Sequence, residues 1–450
     1  MQPETAPAPR RLSDLPCPPG RLPLLGHALP LVNRPFAFLE AVRELGDIVR
    51  IQLGGTPMYM LNEPEHVHTI LVTEARKVAR GILFERGRKL VGNGLLGSEG
   101  AFHLRQRRLM QPALQRTSTA AHATLMRRNT LRLGDSWQHG QVVDVQQAMT
   151  DLVIRNTTDA LFGLSADEAT TRAMCRAAPV LLDNLVRQYQ SPAFLERFPL
   201  PFNRRVAATS RAIHRTIAGV IVRRIADPGK EDLISTLLSA RDPATGEPMP
   251  PRQVHDEAFS IFVAGVGTTA ATLSWFFHEL ARHPEVEERV VAETSALAGD
   301  DLPAADPPDR LGHTRRAVQE VLRMHGVLLV MRRTTAPVRL GTVEMPAGTE
   351  IGYSPHGIQR DPARYPDPLR LDPDRWLLPR TPPLPKGAFI PFGEGRHRCI
   401  GEHFARAQLL TAAVLLLPRW RLRPAPGATV REMNGIHPRP SSLHMTVTSR

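Results

Sequence analysis

A chain of 450 residues, 42% hydrophobic and 22% charged, is long enough to bury a sizeable core, and its composition excludes disordered, collagenous and disulfide-stapled classes. The net charge of +13 is carried almost wholly by arginines spread along the chain, with lysine only at Lys77, Lys89, Lys230 and Lys386, and no basic block reads as a nucleic-acid arm. Three cysteines (Cys17, Cys175, Cys399) cannot close a disulfide framework, the N-terminus lacks the apolar core of a secretory signal, and no membrane-length apolar run occurs, so a soluble cytoplasmic protein is expected.

In chain order, the proline-rich start predicts an extended leader, with residues 1–14 flexible and one domain over 15–450. Short β-type runs follow at Ile48–Leu53 and Met58–Leu61, separated by a Gly54-Gly55-Thr56-Pro57 turn. From Glu63 to about Leu311 the apolar spacing of three and four predicts helices, most clearly over Asp144–Phe162, Arg205–Ala226 and Val254–Arg282, the last stopped by Pro284. After the proline-rich Pro303–Pro308, a helix is expected over Gly312–His325, then strands near Val338–Leu340 and Glu350–Tyr353. An irregular stretch from His356 to Arg398 precedes a final helix, about Ile400–Leu416, and a β-like tail. Long irregular segments inside compact domains generally serve a site.

That segment ends in PFGEGRHRCIGEHFA, Pro391 to Ala405. Gly393 and Gly395 permit tight left-handed turns and close approach to a flat ligand. Cys399 stands just before a helix, where unsatisfied amides favour negative charge and a thiolate is a good metal ligand. Three other readings compete: an incidental buried cysteine, a zinc site of Cys399, His397 and His403, and a cysteine hydrolase.

Phe392-Gly393-x-Gly395-x-His397-x-Cys399-x-Gly401 resembles the haem-binding loop of the cytochrome P-450 family. The resemblance implies a mainly α fold with small β sheets, a triangular prism around a buried haem b, with Cys399 as the axial thiolate on iron. It gives Phe392 and Gly393 to the haem loop and turns His397 toward a propionate. Glu320-Val-Leu-Arg323 followed by Arg375 in LDPDRW resembles the family's E-x-x-R helix and its later arginine, a buried network that supports the haem loop. His103 and Arg107 lie one helical turn apart in HLRQRRLMQP and are expected to donate to the propionates, as is one of the neighbours Arg332 and Arg333. Ala264-Gly265-Val266-Gly267-Thr268-Thr269 resembles the oxygen-binding segment, with Ala264, Gly267 and Thr268 at the catalytic positions. Its glycines predict a local opening of the helix. Gly267 stands where the family has an acid, so the proton route to Thr268 departs from the usual one.

Ala264 and Ser260, one and two turns before Thr268, together with Leu328, Leu329, Phe84, Leu95 and Leu96, are expected to line an apolar substrate pocket. VGNGLLGS and YSPHGIQRDPARYPDPLRLDPDRW are similar to bacterial oxidases of cyclised sesquiterpenes. The expected function is O2-dependent oxidation of an apolar small molecule, possible terpenes included, with electrons from a separate ferredoxin and ferredoxin reductase. Arg105, Arg107, Arg108, Arg396 and Arg398 are candidates for docking an acidic partner. A peroxide-using or rearranging haem-thiolate enzyme and a non-catalytic haem protein are the alternatives.

Overall fold

The computed structural model describes residues 10–163, 168–190, 195, 198–227, 229, 232–297, 310–377 and 382–450. The strands are β1 (Ile48–Leu53), β2 (Thr56–Leu61), β3 (Val78–Arg80), β4 (Val142–Asp144), β5 (Val330–Thr334), β6 (Val338–Leu340), β7 (Val343–Met345), β8 (Glu350–Tyr353), β9 (Trp420–Pro424), β10 (Glu432–Met433), β11 (Arg439–Pro440) and β12 (His444–Ser449). The helices that carry the argument are α1 (Ile82–Val91), α2 (Gly100–Met110), α3 (Val145–Phe162), α4 (Glu168–Gln190), α5 (Pro201–Ala226), α6 (Pro251–Arg282), α7 (Gly312–Met324) and α8 (Glu402–Leu416). The chain is mainly helical with small sheets. It divides into two compact units: Met1–Glu85 with Gly326–Arg370 and Leu378–Cys399, and Arg86–His325 with Leu371–Leu377 and Ile400–Arg450.

The first unit is built on a five-stranded sheet of order β1-β2-β8-β5-β3. β1 and β2 are antiparallel, Leu53 opposite Thr56, so Gly54 and Gly55 alone make the turn, with Gly54 at φ +58°. Pro57, which has no N–H to give, falls before the parallel pairing of β2 with β8 begins at Met58. One face of the sheet buries Tyr59, Leu61, Ile351 and Tyr353 with Val67, Ile70 and Ile390. The other buries Met58, Met60 and Met331 with Phe38, Val42 and Leu328. The fold takes hold of the chain from Arg10, inside the expected leader: its N–H donates to Thr342 O at 3.0 Å, and Leu12 packs on the core. Residues 1–9 and Pro303–Pro308 lie outside the described residues.

The second unit is organised around α6. It begins three residues earlier than its apolar periodicity predicts, with Pro251 in its first turn, and ends at Arg282 before Pro284. Its central stretch is long and apolar enough to cross a membrane, but 67% of that 18-residue window is buried inside the protein, which marks a core helix. α3 starts where expected, the Asp144 carboxylate accepting from Gln147 N–H at 3.3 Å as an N-cap, and stops at Gly163, φ +73°. The tail forms the sheet β4-β12-β9 and the hairpin β10–β11. Strands β3 and β4, three residues each, are too short to leave a period-two signal and interrupt the expected helical stretch.

Candidate active site

In the first unit the cysteine loop closes on itself. Cys399 N–H donates to Phe392 O at 2.8 Å, Gly393 N–H to Ile390 O at 3.0 Å and Arg398 N–H to Gly395 O at 3.1 Å. Gly393 and Gly395 both hold positive φ, +68° and +66°. A side chain at Gly395 would overlap the Leu71 carbonyl, so the loop needs glycine there for both reasons. His68 Nδ1 meets Glu394 Oε2 at 2.8 Å and ties the loop to the chain before β3. Cys399 itself is exposed and forms no disulfide, and His397 is half-buried. The helix after it starts at Glu402 rather than Ile400, with Gly401 as its cap.

The two candidate arginines of β5 separate. Arg333 is committed to carboxylates, Nε to Glu350 at 2.5 Å and Nη1 to Glu85 at 2.6 Å. Arg332 is buried, gives Nη1 to Met331 O at 2.9 Å, and its Nε has no acceptor among the described residues. A buried cation in that condition is costly unless an anion meets it. Arg333 is thus held in structural ion pairs, whereas Arg332 is suited to a carboxylate ligand.

In the second unit α6 runs unbroken through this segment, so the local opening predicted from its glycines is not seen. Thr268 Oγ1 donates to Ala264 O at 2.9 Å and Thr272 Oγ1 to Thr268 O at 2.9 Å, so hydroxyls double the ladder through the segment. Ala264 is exposed and Gly265, Gly267 and Thr268 are half-open, whereas Phe262, Val266, Thr269 and Ala270 are buried. A Cβ at Gly267 would lie 3.4 Å from Leu182 Cδ1 of α4, so an acid at this position would face a leucine. On α2, His103 is buried beside Gln106 and Met110, with Arg107 half-buried one turn on.

The network behind the site is complete within this unit. Glu320 and Arg323 are fully buried, and Arg323 grips both carboxylate oxygens, Nε to Oε2 at 2.9 Å and Nη2 to Oε1 at 2.7 Å. Arg375 Nε donates to Oε1 at 2.9 Å. Trp376, which the sequence reading passed over although it ends the same LDPDRW run, donates Nε1–H to Oε2 at 2.8 Å.

The residues expected to line a substrate pocket have the following surroundings. Leu328 belongs to the core with Phe38 and Met331, and half-buried Leu329 packs against the same cluster. Phe84 lies under the Arg80 guanidinium, 4.5 Å from its ring centre. Ser260 is buried against Gly94, whose missing side chain leaves room for its hydroxyl. Ala264 is exposed, Leu96 half-buried and Leu95 buried. Arg105 is held by Asp242 at 2.6 Å and Glu247 at 3.4 Å, which removes it from the proposed docking cations.

Within the first unit, an exposed cysteine on a glycine-hinged loop and a buried arginine whose Nε meets no acceptor among the described residues fit a thiolate-ligated haem and its acidic side chains. The sequence pattern described as cytochrome P450 matches residues 16–443. Pentalenene oxygenase of Streptomyces avermitilis is 35% identical over 433 residues, 95% of this chain and 96% of that protein. Cyclooctat-9-en-7-ol 5-monooxygenase of Streptomyces melanosporofaciens is 36% identical over 415 residues, 92% and 90% of the two chains. The crystal structure of the cytochrome P450DA haem domain shares the fold, with a TM-score of 0.87 at 23% identity over 99% of each chain. The chain belongs to the cytochrome P450 family. It is a P450 monooxygenase, with haem b as cofactor and O2 and a redox partner as requirements of its reaction.

Proposed function

We propose that this protein oxidises a cyclised terpene or a comparably apolar metabolite in the cytoplasm, drawing electrons from a ferredoxin and its reductase. The observation that carries the substrate class is the open face of α6. Where the core helix is uncovered it offers Ala264, glycines and a single hydroxyl already bonded to its own backbone, a surface with few polar handles. Names of the relatives point the same way: one is a pentalenene oxygenase, another a cyclooctat-9-en-7-ol 5-monooxygenase and a third a cyclooctatin synthase. A ferredoxin suits a chain of net charge +13, on which Arg108 and Arg398 are exposed.

Each residue then has a task. Cys399 would hold the iron as thiolate, while Arg332, His103, Arg107 and His397 would hold the propionates. Haem supplies the activation of O2 and the electron transfer. Thr268 would hold a proton at Oγ1 for the oxygen chemistry that haem supplies, its hydroxyl oriented by the bond to Ala264 O. Gly267 relays none, so water must bring protons to Thr268 without a neighbouring acid. That same position favours a second reading, turnover supported by peroxide, in which the delivered protons arrive with the oxidant.

Turnover of a panel of cyclic terpene hydrocarbons with NADPH, reductase and ferredoxin tests the first reading. Product under these conditions, and its loss in Thr268→Ala, is expected. Product with peroxide alone would establish the second. A red-shifted Soret band of the reduced carbon monoxide complex, abolished in Cys399→Ala, tests the thiolate separately.

A further inference from the structure

The segment joining α1 to α2, Gly92-Asn93-Gly94-Leu95-Leu96-Gly97-Ser98, lies on α6 and is fastened there by neighbouring carboxylates. Asn93 N–H donates to Asp256 Oδ2 at 3.0 Å and Leu95 N–H to Glu257 Oε2 at 2.6 Å. Gln253 Nε2 joins the two partners, donating to Asn93 O at 3.0 Å and Glu257 Oε1 at 2.7 Å. Contact is close enough that a side chain at Gly94 would overlap the Ser260 hydroxyl and the Asp256 carbonyl. Glu257 is fully buried, and what it gains from the loop is one backbone N–H rather than a cation.

We infer that Asp256 and Glu257 are positioning residues that latch this loop to α6, and that ionisation of Glu257 releases it. Burial pushes the Glu257 carboxyl up to about 7 from its ordinary 4.5, with Asp256 adding to the rise and the Leu95 and Gln253 bonds opposing it. Other charged groups around the latch do not neutralise it. Arg252 and His255 flank Asp256 on α6, and burial tends to raise Asp256 too, but His255 and the Asn93 N–H hold it below the usual range. From α5, His214 stacks on His255 at 4.9 Å and on Phe259 at 4.1 Å, and burial keeps it toward the neutral form. Arg88 of α1 is bound to Asn93 Oδ1 at 2.9 Å. On α3, Arg155 is paired with Glu168 and Asp159 with Arg128, while Asp151 accepts from Gln147; Asp242 and Glu247, ahead of α6, are held by Arg105.

The direction follows from linkage. A carboxyl that is harder to ionise in the closed loop than in water favours closure while protonated, and closure weakens as pH rises between the two values. With the values 4.5 and about 7, the opening equilibrium should rise about tenfold from roughly pH 6 to roughly pH 8.5. That the loop governs substrate entry rests on the reading of Leu95 and Leu96 as pocket residues.

Hydrogen exchange of the haem-loaded protein, followed by mass spectrometry on peptides covering 92–98, reads the latch directly. After correction for the chemical exchange rate, protection in the wild type should fall about tenfold across that pH range. Glu257→Gln keeps an acceptor for Leu95 N–H, the Gln253 amide turning to match, and should hold its protection at all pH values. A flat wild-type profile overturns the latch whether or not the variant folds, and so does a variant with the wild-type slope. Binding of 4-phenylpyridine, whose nitrogen stays largely neutral over this range, separates the two claims. An association rate that climbs with exchange supports a gate. Exchange that moves while the association rate does not leaves the latch standing and removes Leu95 and Leu96 from the entry path.

Discussion

Replacing Glu320 by alanine takes the acceptor from four hydrogen bonds at once: two from Arg323, one from Arg375 and one from Trp376. Two guanidinium groups, Arg323 fully buried and Arg375 nearly so, would lose this buried carboxylate. Breaking a buried pair from one side costs about 3–5 kcal/mol. Trp376→Phe removes a single donor to a charged acceptor and should cost about 1.5–3 kcal/mol. Arg375→Met should lie near that lower value, since Arg323 still grips both carboxylate oxygens. Guanidinium unfolding, read by far-UV circular dichroism and by Soret absorbance, gives the midpoints from which these differences follow. A Glu320→Ala loss below about 1 kcal/mol would refute the network as described. So would an equal loss in Trp376→Phe, since the buried charges and not the count of bonds set the order.

Arg332→Ala should speed haem loss to an apomyoglobin trap by about tenfold or more, the worth of one charge-assisted bond. Arg333→Ala should leave that rate alone and lower stability instead, through its Glu85 and Glu350 pairs. Gly395→Ala, at φ +66° and against the Leu71 carbonyl, should cost about 1–3 kcal/mol and reduce haem content in the purified protein. Burial pushes His278 down to about 4, so it enters the fold neutral, and stability should fall as pH drops from about 6.5 toward that value. His278→Gln should lose less between neutral and mildly acidic pH in the same unfolding assay.

Much of this site was legible because its chemistry needs rare residue types at fixed spacing. A cysteine after two glycines, and a glutamate three before an arginine, say little about periodicity yet fix a loop and a buried network. What the chain alone could not separate was neighbours of one type. Arg332 and Arg333 differ only in which carboxylates lie across the sheet, and Glu350 stands opposite Arg333 in the β5–β8 register. Apolar residues were similarly ambiguous: Leu328 and Leu96 look alike in sequence, but one points into a core of Phe38 and Met331 and the other is half-buried. Asp256 and Glu257, polar residues near the start of a long helix, carry no sequence signal of a loop contact by themselves. The alternate glycines of VGNGLLGS, spaced to let a backbone lie flat on its neighbour, were the available signal.

The sheet of the first unit has a consequence for how this protein is made. β2 is flanked by β1, separated from it by two residues, and by β8, whose Glu350 pairs with Met58 from 292 positions further along the chain (350 − 58). At roughly 5–20 residues per second, a ribosome needs about 15–60 s between delivering one strand and delivering the other. During that interval Met58, Met60 and Leu61, all buried in the finished sheet, can pair with β1 on one side while the edge that β8 will cover stays open. Yield on expression should therefore depend on chaperone supply and on slow translation temperature more than on final stability. Fragments ending before β5 should collect as insoluble material even though most helices are already complete.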